Sequence, residues 1–233
     1  MATAGCTALG NQGDGYQAHG GAELQVWEGC RATSNGKDGF RCVGAGSTLQ
    51  AGPHCSAQHN KYLGFAAKSG AHVSLRGHCR ADHNCECGFH ARGQGSQLLT
   101  GQCCKAEANY YGFTAYEGGL LKAGPHCVAG ANRECGFTSQ VGNSQLEAAP
   151  GCVADGNQGY VGFTASVGGR LRATGCVSRN NLGYGYAALK ESTLVRSHSC
   201  QASNNVNGRL CSDGNVLTCS HACTLSSHES QPV

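Results

Sequence analysis

The stretch GFTAYEGGLLKAGPHCVAGANRECGFTS, residues 112–139, opens on GFTA and closes on GFTS. The chain says nearly the same thing twice within one short segment. Extending the comparison in both directions shows that the whole chain does so. Cysteines at 6, 30, 55, 79, 104, 127, 152, 176, 200 and 223 are spaced by 23 to 25 residues and mark nine successive units. A fixed period in this range signals a repeat architecture, in which each unit buries its apolar face only against its neighbours.

Each unit opens with Cys-x-Ala-x-x-Asn. Asn11, Asn35, Asn60, Asn84, Asn109, Asn132, Asn157, Asn181 and Asn205 form an unbroken series. A few residues on comes Gly plus an aromatic: Tyr16, Phe40, Phe65, Phe89, Phe113, Phe137, Phe163 and Tyr186, with Arg209 at the ninth place. Two residues beyond the ring a small residue returns, from Ala18 and Cys42 through to Ala188 and Cys211. A Leu then precedes the next Cys: Leu24, Leu49, Leu75, Leu98, Leu121, Leu146, Leu171, Leu194 and Leu217.

Cys-x-Ala, Phe-x-Ala and Leu-x-Ala alternate with period two, and Gly, Asn, Ser and Pro separate them, which reads as three short strands joined by turns. The sequence therefore predicts an all-β repeat β-solenoid of nine coils of about 24 residues, three strands per coil, with inward Asn and Cys ladders. A propeller-like array of hairpins is the alternative, but Gly-Gly at 118–119 and 168–169 recurs in too few units to define a hairpin turn. The expected layout is a lead over 1–5, one solenoid domain over 6–223 and a polar tail over 224–233. Stacked coils rise by about 4.8 Å, giving a rod about 43 Å long.

In register, each Asn passes amide hydrogen bonds to its counterpart. Cys30, Cys55, Cys79, Cys104, Cys127, Cys152, Cys176 and Cys200 take an inward slot as small hydrophobes, or as bridges between neighbouring coils. With 17 cysteines in 233 residues, an extracellular place is favoured over a cytoplasmic one, although no signal peptide opens the chain. The segment HCRADHNCECGFH gathers His78, His83, Cys85, Cys87 and His90, ligand types that suit zinc. Their spacing is not that of common structural zinc sites, so neither a metal nor another cofactor is expected.

Net charge is +3 with no basic run, which argues against nucleic acid, and no apolar stretch is long enough to span a membrane. The 14 acidic residues are scattered, so paired-carboxylate catalysis is not expected and the chain reads as a non-enzyme. Ranks read as outward run Gln17, Arg41, Ala66, His90, Thr114, Thr138, Thr164, Ala187 and Leu210 on the second strand, and Gln25, Gln50, Arg76, Leu99, Lys122, Glu147, Arg172, Val195 and Thr218 on the third. Thr114, Thr138 and Thr164 make the one uniform surface rank, a candidate binding face. The chain resembles insect-type ice-binding solenoids in architecture alone, since their threonine-flanked motif is absent.

No convincing cap stands at either end, and end coils expose unpaired strand edges. The expected function is a structural repeat protein that self-associates through its ends into a filament or extracellular scaffold. An ice-binding rod and a multivalent glycan-binding or adhesive surface are the alternatives. Trp27, Arg209 and Leu210 break the pattern and read as interface features or crude caps.

Overall fold

The computed structural model describes residues 2–212 and 216–220. Cys223 and the expected polar tail, 224–233, lie outside the described residues. The chain folds as a triangular β-solenoid: three sheets of nine strands each, with every strand pairing parallel to its counterparts one coil before and after. The first coil supplies β1 (Thr7–Leu9) to sheet one, β2 (Tyr16–His19) to sheet two and β3 (Glu23–Val26) to sheet three. The ninth supplies Gln201–Ser203, Leu210–Ser212 and Val216–Ser220. Among the described residues no helix is long and apolar enough to cross a membrane.

The interior is built from columns of like residues. Ala8 pairs with Ala32, Phe113 with Phe137, and Leu121 with Leu146. The rings from Tyr16 to Tyr186 form one continuous stack with centroids 4.6 to 5.3 Å apart. That spacing is the strand separation itself, so the sheet sets the ring geometry. Tyr186, fully buried in a slot held by Phe from the second coil to the seventh, donates its hydroxyl to Cys176 O at 2.9 Å.

The glycine before each ring has a steric cause. A Cβ on Gly88 would stand 2.8 Å from Ala106 Cβ and 2.9 Å from Gly112 O of the next coil. Only a residue without a side chain fits at this corner.

Three register assignments differ from the sequence reading. In the third coil Val73, not Leu75, pairs with Leu49 and Leu98, while Leu75 takes the slot of Ala51 and Thr100. Ser74 therefore replaces Arg76 in the outward rank of sheet three. In the ninth coil Leu210, not Arg209, pairs with Tyr186, and Ser212, not Cys211, pairs with Ala188. Leu210 thus fills the ring slot rather than an outward place.

Candidate functional site

The asparagine column is a directed hydrogen-bond chain. Asn109 donates from its backbone N and its Nδ2 to Asn132 Oδ1, at 3.0 and 3.3 Å. Asn132 Nδ2 in turn donates forward to Asn157 Oδ1 at 3.0 Å and backward to Ala106 O at 3.1 Å. From Asn35 to Asn181 the inner members are buried, with every amide engaged on both sides. Buried amides in such a relay escape the desolvation penalty of an unpaired group.

The direction of the chain makes its two ends unlike. Asn11 is exposed; it donates to Asn35 Oδ1 at 2.9 Å, while its own Oδ1 accepts no bond from the described chain. Asn205 accepts from Asn181 at 2.8 Å and donates to Ser178 O at 3.1 Å, and among the described residues no following Asn receives its backbone N–H. One end offers an acceptor and the other offers donors.

The rest of the first coil is equally open. β1, β2 and β3 each end their sheet with one edge unpaired, apart from an isolated bridge from Ala2 to Val26. Residues 2–5 thus lie along sheet three, with Gly5 N donating to Glu28 O at 2.8 Å. Cys6, Ala8, Tyr16 and Leu24 are only half-buried, whereas Cys30, Ala32, Phe40 and Leu49 one coil later are fully buried. Leu9 is 66% exposed. A cross-section of the core therefore faces outward at this end, edged by the open sides of β1 and β2 and by β3, which is bridged only at Ala2.

The cysteines from Cys30 to Cys200 form a buried column on the inner side of the corner between sheets three and one. The cysteines of this column are free thiols. They donate to carbonyls of the preceding coil: Cys30 Sγ to Thr3 O at 3.1 Å, Cys55 Sγ to Trp27 O at 3.2 Å, Cys152 Sγ to Gly124 O at 3.3 Å. Burial pushes the Cys30 thiol up.

Thr114, Thr138 and Thr164 are not a surface rank: their exposures are 2%, 0% and 4%. Side chains from the position before each repeat glycine cover them. Leu63, Cys87 and Tyr111 cluster with Ala66, and Cys135, Val161 and Tyr184 cluster with Ala187, outside sheet two. Thr164 Oγ1 lies 3.7 Å from Cys135 Sγ, and Thr138 Oγ1 accepts from Gln140 Nε2 at 2.9 Å. The alternation breaks at the glycine, because Gly88 and Phe89 both face the interior and Cys87 therefore emerges on the outer side with His90. From the third to the eighth coil the residue before Gly-plus-aromatic forms an apolar column that the sequence itself displays, after Asp14 and Asp38 in the first two.

The metal candidates do not converge. His78 stacks on His54 at 5.1 Å at one corner and His83 on His59 at 5.0 Å at another. Cys85 is exposed, while Cys87 and His90 are buried outside sheet two. Among the described residues no three His, Cys, Asp or Glu side chains form a group able to hold a metal ion. Burial pushes the Cys87 thiol up to about 12. Burial, with Lys68 and Arg92 nearby, holds the His90 imidazole down to about 3.

Comparison with models of protein families, with curated proteins and with solved structures finds no match to this chain in any of the three.

Proposed function

We propose that this protein is a non-enzymatic structural rod that joins end to end with copies of itself into a filament. The observation that carries the reading is the open first coil, with two unpaired strand edges, a third bridged only at Ala2, and a half-exposed core cross-section. It is matched in kind by the far end of the asparagine chain. Asn205 presents donors where Asn11 presents an acceptor, so a second copy set on the first continues the relay without reversing it. Parallel pairing throughout means that this joint repeats the geometry found between any two coils. The joint is head-to-tail and does not close, which gives a fibre rather than a ring or dimer. The carboxylates of Asp38, Asp82, Glu107, Glu117, Glu147 and Asp155 are engaged in ion pairs, a structural use that fits a rod. An extracellular place rests on cysteine content alone.

The test is sedimentation velocity and negative-stain electron microscopy at rising protein concentration, with and without reductant. Rods whose lengths are multiples of about 43 Å support the reading. Ala8→Lys puts a charge into the half-exposed first coil and is expected to stop growth while leaving a folded monomer by circular dichroism. Single rods at every concentration refute it.

A further inference from the structure

Sheet three carries a cleft of about 450 Å³ on its outer side, over the first three coils. Its floor is a small grid fixed by the strand register. One row holds Gln25, Gln50 and Ser74, paired in that order on adjacent strands. The next outward row, two residues further along each strand, holds Trp27, Gly52 and Arg76. Gly52 leaves a gap between a large aromatic side chain and a guanidinium. No other residue type is admitted there, since a Cβ would stand 2.6 Å from the backbone N of Glu28.

The width of this gap follows from the coil spacing. Trp27 and Arg76 are two coils apart, about 9.6 Å between backbones. A flat ring in van der Waals contact on both faces needs about 7 to 8 Å between its neighbours. Backbones at that spacing leave room for a single ring between the two side chains.

The chemistry of the walls narrows the ring. Trp27 is the chain's sole tryptophan and is 46% exposed, so much of the indole stands in water instead of in the core. Among the described residues the side chains of Gln25, Gln50, Ser74 and Arg76 make no hydrogen bond or ion pair with the rest of the chain. They offer amide and hydroxyl groups along the floor of the slot and a guanidinium at the wall opposite Trp27. The comparable cleft further along the same sheet has no aromatic wall, and its Lys122 and Glu147 neutralise each other at 3.0 Å. Glu28 at the rim of the first cleft disfavours a phosphate-bearing ligand.

We propose that this cleft binds one pyranose ring of a neutral glycan. The C–H face of the sugar lies on Trp27, where the negative face of the indole attracts its polarised hydrogens. Its hydroxyls meet Gln25, Gln50 and Ser74, and Arg76 closes the opposite side. The site lies on the flank of the rod, so it stays open whether or not the ends join.

Because Trp27 is the sole tryptophan, its fluorescence reads the cleft directly. The probes are the methyl glycosides of glucose, galactose, mannose and N-acetylglucosamine, with adenosine monophosphate as the rival flat ring. They are titrated into the full chain and into Ala8→Lys, which separates this site from end-to-end joining. At least one sugar is expected to give a saturable emission shift with a Kd of about 1 mM, weakened about tenfold in both Gln50→Ala and Ser74→Leu. No saturable shift with any sugar up to about 50 mM overturns the proposal. So does tighter binding of adenosine monophosphate than of every sugar, or a shift unchanged in both variants.

Discussion

Removing one amide from the middle of the asparagine chain tests whether that chain holds the coils together. Asn132→Ala deletes the oxygen that accepts from Asn109 N and Asn109 Nδ2. Asn109 is fully buried, so its backbone N–H and one amide hydrogen are left without an acceptor. Asn157 Oδ1 keeps its bond from the backbone N of residue 132, and Asn109 Nδ2 keeps its bond to Ala81 O. Two orphaned donors at about 1 to 3 kcal/mol each give a destabilisation of about 4 kcal/mol. At the open end, Asn11→Ala removes only the bond from Asn11 Nδ2 to Asn35 Oδ1, whose acceptor retains Asn11 N. That change is expected to cost within about 0.5 kcal/mol. Urea unfolding of the two variants measures the difference, and native-state hydrogen exchange locates it between the fifth and sixth coils. Equal losses for the two variants refute the relay as a source of stability and leave packing of the columns alone.

Other outcomes follow from the same columns. Phe113→Ala removes a buried ring stacked at 4.6 and 4.7 Å on its neighbours and is expected to lose about 3 to 5 kcal/mol by thermal or urea unfolding. With its folded imidazole held down to about 3 by burial, Lys68 and Arg92, His90 stays neutral while the unfolded chain takes up a proton below about pH 6.5. Stability is therefore complete above that pH and falls by about 2 kcal/mol between pH 7 and pH 5; His90→Thr, the residue that continues the rank at 114, is expected to flatten that part of the urea-midpoint profile. Burial holds Cys87 up at about 12 and Cys135 up at about 11, so at pH 8 iodoacetamide should label exposed Cys85 first. Cys87 is expected to react about a thousandfold more slowly than an ordinary exposed thiol, read by peptide mass spectrometry.

The fold was legible because its columns are written at one period. An inward Asn or Phe has no freedom to move off its place when its counterparts lie one strand spacing away on either side. Legibility failed where two apolar choices share a face. Val73 and Leu75 are two residues apart and both point inward, so alternation alone does not say which continues the column of Leu49. At Arg209 and Leu210 the choice was between adjacent residues. The Gly-plus-aromatic landmark is missing from the ninth coil, and only the pairing with Tyr186 fixes the register. The threonine rank was read outward correctly but its covering was not foreseen, because simple alternation does not survive two consecutive inward residues at Gly88 and Phe89. The cleft at Trp27 lay hidden behind the same slip that placed Arg76 in the wrong rank.

The parallel ladders also set how the rod answers a pull. Their hydrogen bonds run along its long axis, so tension on the two ends loads one ring of bonds at a time and peels the molecule open. Each ring that yields gives up about 4.8 Å of rod and releases about 80 Å of slack chain, at about 3.4 Å per extended residue. The protein thereby extends many times its length, one coil at a time, before the whole backbone is drawn taut. When tension falls, the last intact ring presents the pattern on which the freed segment closes again.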